Sequence, residues 1–247
     1  MAEFRIKLAD LPIQVSAAYD STSAFCQNYY TQEPAELHVR VRQEDIDFAR
    51  QQIEELELLE FGRTRPYPDS YLETVALCEV IADTLLFHNV LLFHGSVVAV
   101  GGKCYMFTAS SGTGKTTHTQ LWLRAIPGSF VLNGDKPFVL FREDGVYACG
   151  SPWQGKENFG TNAILPLEGI CILERDTENH IQRIPFWEAY QPLLAQSHRS
   201  PQMADLVSYL QLLKKLETVP MYRLGCNMDP EAALVSYRGM TGAGPDL

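Results

Sequence analysis

Several things are scarce in this sequence, and each scarcity removes a class of function. Basic residues are outnumbered: 20 Lys and Arg stand against 30 Asp and Glu, a formal net charge of −10. A broad face for DNA or RNA needs clustered Lys and Arg, so nucleic acid is not an expected partner. The six cysteines (Cys26, Cys78, Cys104, Cys149, Cys171, Cys226) form no C-x-x-C pair and no Cys/His spacing suited to zinc. They read as reduced, buried thiols of a cytosolic protein. No apolar run reaches the roughly 20 residues of a membrane span. The opening MAEFRIKLADL lacks a basic stretch followed by an apolar one, so no secretory leader is expected and a cytoplasmic location is. There is no internal repeat and no low-complexity tract. What remains is a globular composition, 46% hydrophobic and 20% charged.

The 247 residues suffice for a core domain with a smaller lobe. Phe4–Leu8 and Leu37–Arg42 alternate apolar and charged side chains, the period of a half-exposed strand. Glu44–Glu60 reads as a charged helix stopped by Gly62, and RTRPYPDS then supplies two prolines and a turn. An N-terminal α+β lobe over 1–66 follows, with a second domain over 67–240 and a loose tail over 241–247. From Asp69 or Ser70 to His88, Leu72, Val75, Ala76, Val80 and Leu85 recur at helical spacing. VLLFHGSVVAVGGKCYMFTA then predicts two strands joined at Gly101-Gly102. Helical spacing returns over Thr116–Ile126 and ends at Pro127-Gly128, and strands are predicted at 130–132, 137–141 and 170–173. The last third reads as helical. Leu206, Leu210 and Leu213 form one apolar stripe, and Asp229-Pro230-Glu231 starts a helix that Gly239 stops.

The chemistry begins at Ala109-Ser110-Ser111-Gly112-Thr113-Gly114-Lys115-Thr116. It matches the P-loop pattern G-x-x-x-x-G-K-[ST] except that Ala109 replaces the first glycine. Glycines let successive amides approach phosphate oxygens, and the following helix adds its positive N-terminus. Lys115 would reach the β- and γ-phosphates and Thr116 would offer a hydroxyl to Mg2+, with Ser111, Gly112, Thr113, Gly114 and Thr117 completing the cradle. A Gly/Ser turn with an exposed lysine is the bland alternative. The strand-like run before the loop and the helix-like run after it favour nucleotide binding.

Two further features narrow the reading: Phe93-His94-Gly95-Ser96, with His94 fifteen residues before Ala109, and Asn133-Gly134-Asp135-Lys136, with Asp135 twenty residues after Lys115. With them, residues 88–175 resemble the catalytic domain of HPr kinase/phosphorylase, a family with a His-Gly pair at this distance before its P-loop and an Asp-Asp pair at a later strand end. SGTGKTT is also similar to ATP-dependent phosphoenolpyruvate carboxykinase. The resemblance implies an α/β fold with a P-loop kinase core of the HPr kinase/phosphoenolpyruvate carboxykinase type, an N-terminal α+β lobe and a helical C-terminal part. It implies ATP and Mg2+ as cofactors, Lys115 and Thr116 as phosphate and metal contacts, and His94 near the transferred phosphate. Asp135 would be the base for the acceptor hydroxyl or, with Thr116, a metal ligand. Kinases of this loose type act on free serine or on peptide precursors, and HPr kinases are hexamers, which implies a homo-oligomer. Lys136 stands where the family has its second aspartate, which argues against a two-metal site and against phosphorolysis.

The residues alone agree in outline. Phosphoryl transfer needs an in-line acceptor, charge neutralisation and a group that orients or deprotonates the hydroxyl. Asp135 suits the last role, though Asn-Gly-Asp is also good turn chemistry. His94 would stabilise charge if protonated or orient a hydroxyl if neutral, against the alternative of a core histidine. Gly150–Gly160, with three glycines, Trp153 and Lys156, reads either as an acceptor-binding lid or as a plain connection. Gly62-Arg63-Thr64-Arg65-Pro66 reads as a turn between lobes. The expected function is an ATP-dependent kinase acting on a hydroxyl of a small molecule, peptide or small protein. The alternatives are a carboxykinase-like enzyme and a nucleotide-binding regulatory module without transfer.

Overall fold

Alternating side chains and tight turns build the first strands. The structure, a computed structural model, describes residues 1–199 and 203–243, with the backbone alone for Glu60 and 203–205. By internal contacts the chain divides into Met1–His88 and Asn89–Leu247. In the first unit, β1 (Ala2–Leu8) and β2 (Leu11–Ala17) pair antiparallel across Ala9-Asp10. Both turn residues are left-handed, with φ of 49° and 67°, the geometry that matches the twist of a two-residue hairpin. Helix α1 (Asp20–Phe25), strand β3 (Leu37–Arg40, parallel to β2) and helices α2 (Gln43–Phe61) and α3 (Asp69–Leu86) complete it. The fully buried Glu73 of α3 accepts from the amides of Ala18 (2.5 Å) and Tyr19 (3.1 Å) and from the Thr22 hydroxyl. A carboxylate on the first turn of α1 thus satisfies donors that the helix cannot.

The Pro-rich turn therefore does not separate two units. It lies inside the first, between α2 and α3, where Arg65 makes two bonds to Glu57, of 3.0 and 2.8 Å. The unit runs on to His88 because α3 packs on α1 and α2.

The second unit is one nine-stranded sheet with helices. Its strands are β4 (Val90–Leu92), β5 (Ser96–Val100), β6 (Lys103–Thr108), β7 (Phe130–Asn133), β8 (Phe138–Arg142), β9 (Gly145–Cys149), β10 (Ile164–Arg175), β11 (His180–Ile184) and β12 (Met221–Cys226). Its helices are α4 (Lys115–Ala125), α5 (Phe186–Gln196), α6 (Met203–Lys215) and α7 (Glu231–Thr241). Strand β10 joins two halves. Its first residues pair antiparallel with β9, and its later ones run parallel to β6 on one side and to β12 on the other. A parallel centre needs crossovers, and α4 supplies the first. Its buried Trp122 sits edge-on to Phe107 of β6, in a core with Tyr105, Leu173, Leu224 and Ala233.

Three expectations for the last third are corrected. It is not simply helical, because β11 and β12 extend the sheet. The buried stripe of α6 is Tyr209, Leu212 and Leu213, leading to Leu216, while Leu206 and Leu210 are 36% and 37% exposed. The stop is Gly242, left-handed at φ 70° and donating to the Arg238 carbonyl, and not Gly239. Gly239 lies inside α7 because a Cβ there would come within 2.4 Å of Ile181 Cγ2 on β11. Of the 241–247 tail, 244–247 lie outside the described residues. Gly239→Val should destabilise the protein by about 1–3 kcal/mol, the usual cost of overpacking. Urea midpoints measure it, and an unchanged midpoint would show that α7 is free to shift off β11.

Candidate functional site

Strand direction assembles the site. Strand β5 is antiparallel to β6 and to β7, and β10 is parallel to β6. So β5 begins at the edge where β6, β7 and β10 all end. The pairings Ser96↔Phe107, Val97↔Asn133 and Ile172↔Thr108 mark that edge. His94 and Gly95 precede β5 there, the Gly-rich loop follows β6, Asp135 follows β7 and Arg175 closes β10. Ligands of open α/β sheets bind at this kind of edge.

The loop runs from Ala109 into α4. Gly112 and Gly114 are left-handed, with φ of 72° and 126°, conformations that a side chain would strain. Ala109 has no such need. It is buried in the core with Phe107 and Leu121, so its methyl packs where the P-loop pattern has glycine. Ser111, Gly112 and Thr116 are exposed, Thr113, Gly114 and Thr117 half-buried, and Lys115 buried. The Lys115 ammonium donates to the Ala109 carbonyl at 2.8 Å. Arg175 donates to the carbonyls of Gly112 and Thr113, at 2.5 and 3.5 Å. Within the loop the Thr113 amide donates to the Ser110 carbonyl at 3.3 Å, and the first turn of α4 supplies the positive end of a helix beside it.

His94 and Asp135 meet across the edge, with Nε2 and Oδ1 3.4 Å apart. The Gly95 amide donates to the Asp135 carbonyl (2.9 Å) and the Thr108 hydroxyl to the His94 carbonyl (3.0 Å). The His94 amide donates to the Gln196 carbonyl at 2.7 Å. Burial, then the charges of Lys115 and Lys136, hold the His94 imidazole down to about 4, against the opposing pull of Asp135 and a hydrogen bond to Gln196. The ring is therefore neutral at neutral pH. Lys115 is lowered by burial, raised by Asp135 and lowered by Lys136. Asp135 thus contacts His94, and its charge acts on the loop lysine.

Asn133 fixes this turn. Its side chain is fully buried, and Oδ1 accepts from the amides of Asp135 (2.9 Å) and Lys136 (2.8 Å). Its Nδ2 donates to Ser151, at 3.2 Å to the carbonyl and 2.9 Å to Oγ, and Ser151 Oγ donates to the Lys136 carbonyl at 2.6 Å. The 150–160 loop lies against this turn: the Lys136 amide donates to the Trp153 carbonyl (3.1 Å), and Asn133 bridges Gly160. Asn133, Ser151, Gln196 and Arg175 were not picked out from sequence as site residues. Asn133 alone carried a signal, since Asn two residues before a turn amide is the Asx-turn pattern.

Two donors suit Mg2+, the Asp135 carboxylate and the Thr116 hydroxyl. That ion is commonly held by one or two carboxylates together with substrate phosphates. No group of three His, Cys, Asp or Glu gathers into a metal cage among the described residues, so a metal here would rely on the phosphates. No helix among them is long and apolar enough to cross a membrane.

No family model matches the chain, and no curated protein does. Among solved structures it is similar to the Hpr(Ser) kinase/phosphatase from Coxiella burnetii, at 10% identity and a TM-score of 0.36 over 62% of this chain and 99% of that one. Overlap at that level leaves the site to be argued from its own geometry.

His94 and the buried His118, also held down to about 4 by burial, should titrate well below the ordinary imidazole value of about 6.5 in an NMR titration. Lys136→Gln should raise the His94 value and Asp135→Asn should lower it. Between about 6.5 and 4 the unfolded chain binds the extra protons, so these two groups make stability fall as pH drops through that window. A His94 ring titrating at or above 6.5 would contradict its surroundings.

Proposed function

We propose that the chain is an ATP-dependent phosphotransferase that passes the γ-phosphoryl group to a serine-like hydroxyl of a small molecule, peptide or small protein. One observation carries this reading: a carboxylate, Asp135, lies 3.4 Å from a neutral histidine at the same sheet edge from which the Gly-rich loop and its lysine leave. The loop would act as a P-loop, with Ser111 to Thr117 around the phosphates and Lys115 leaving the Ala109 carbonyl for the β- and γ-oxygens. Thr116 and the phosphates would hold Mg2+, whose charge offsets that of the phosphates, with Asp135 left as the base.

The acceptor hydroxyl would hydrogen-bond Asp135, which takes its proton as the oxygen bonds to the γ-phosphorus. The bond from the γ-phosphorus to the β-bridging oxygen breaks and ADP leaves. His94, being neutral, contributes orientation rather than charge, through its contact with Asp135. A regulatory module that binds nucleotide without transfer is favoured by one observation, Lys136 beside the single carboxylate.

Radiolabelled ATP with a panel of hydroxyl acceptors separates the two. Lys115→Ala should weaken nucleotide binding sharply. Asp135→Asn should cut transfer roughly 10²–10⁴-fold, the range of a lost general base, with nucleotide still bound. Binding without transfer to any acceptor would leave the regulatory module, and undiminished transfer by Asp135→Asn would remove Asp135 from its role.

A further inference from the structure

Arg175 is exposed, yet its guanidinium is bonded to main chain. Its Nη2 donates to the Gly112 carbonyl at 2.5 Å and its Nε to the Thr113 carbonyl at 3.5 Å. The carboxylates on either side of it in sequence are engaged elsewhere. Glu174 pairs with Arg223 at 3.1 Å, and Asp176 accepts from the amides of Thr177 (2.6 Å) and Glu178 (3.3 Å). The strand end that carries Arg175 is itself fixed. Arg175 lies opposite Cys226 in the β10–β12 ladder, and the Asp176 amide donates to the Cys226 carbonyl at 3.0 Å.

The two carbonyls belong to the most pliable part of the Gly-rich loop. Gly112 and Gly114 are left-handed, a conformation that glycine enters and leaves without steric cost. A trans peptide unit is planar, so its N–H points opposite to its C=O. A donor on the Gly112 carbonyl therefore sets the Thr113 amide, which donates to the Ser110 carbonyl at 3.3 Å. A donor on the Thr113 carbonyl turns the Gly114 amide away from Arg175. At the start of the loop, the Lys115 ammonium holds the Ala109 carbonyl at 2.8 Å. Once Lys115 leaves that carbonyl for a phosphate, Arg175 still holds the loop from outside.

We infer that Arg175 is a positioning residue for nucleotide: it keeps the Gly-rich loop in its anion-binding form before the ligand arrives, and so sets the affinity. This rests on the nucleotide-binding part of the proposed function. Apparent affinity falls in proportion to the fraction of chains whose loop holds the binding form. The guanidinium thus acts by preorganisation, with no contact to the phosphates required. Its fork matters as much as its charge. One planar group donates to the carbonyls of two successive residues, which the compact ammonium of a lysine does not span.

The test uses the full chain and Mg·AMP-PNP. In calorimetric titrations Arg175→Gln should bind about tenfold more weakly than the wild type, the scale of one charge-assisted hydrogen bond lost. Arg175→Lys, which keeps the charge without the fork, should stay close to Arg175→Gln. In the chain without nucleotide, hydrogen exchange of the Thr113 amide, followed by NMR, should speed up in both variants. Exchange in α7 and β12 should not change, a pattern that a general loss of stability would not give. Wild-type affinity in either variant, or unchanged exchange at Thr113, would overturn the inference; full recovery by Arg175→Lys would make Arg175 a plain charge beside the loop. If the wild type binds no Mg·AMP-PNP, the nucleotide reading fails and this role falls with it. Binding that the variants leave unchanged counts against Arg175 alone.

Discussion

The carbonyl oxygen of the Asn133 side chain, accepting from two successive amides, is the interaction on which the candidate site depends. Without it the Asp135 amide would lose its partner and the Lys136 amide would keep only the Trp153 carbonyl. The same amide group reaches Ser151 through its nitrogen, so the turn after β7 and the strand exit after β9 are fixed by one buried residue. Backbone bonds from Gly95 to Asp135 and from His94 to Gln196 then carry that order across to the start of β5 and the end of α5.

Electrostatics at this edge runs opposite to the whole. The chain is acidic, with a net charge of −10, yet the charges of Lys115 and Lys136 both bear on His94 beside Asp135, and Arg175 holds the carbonyls of the Gly-rich loop. Burial makes each charge costly and each attraction stronger, which is why the lysine and the histidine are both displaced from their ordinary values.

Much of this was legible in the residues, and the reasons differ element by element. Helices α2, α3 and α4 announced themselves because long periodic segments and Gly or Pro stops are local signals. The hairpin at Gly101-Gly102 did so for the same reason, since both residues are left-handed. Strands β11 and β12 escaped because their pattern is set by partners far along the chain. The sequence of α7 placed its stop three residues early, because a glycine chosen for contact with Ile181 looks the same in sequence as one chosen for its φ. At the site, spacing brought out His94, Lys115 and Asp135, and the structure places all three at one edge. Gln196 and Arg175 arrive there through long crossovers that no local pattern encodes.

The glycines around the Asp135 turn have one more consequence. A Cβ on Gly134 would fall 2.7 Å from the Gln154 carbonyl, one on Gly160 would strike the Gln154 side chain at 2.4 Å, and one on left-handed Gly155 would sit 3.2 Å from the Asp135 Cβ. The Asp135 turn and the 150–160 segment thus approach each other closely, main chain to main chain at Gly134 and Gln154. The 150–160 segment is packed and hydrogen-bonded against the Asp135 turn as one wall of the site. Lys156, Glu157 and Asn158 form its exposed crest, so a molecule bound beside Asp135 would meet the side chains of this crest while the packed base beneath holds the turn.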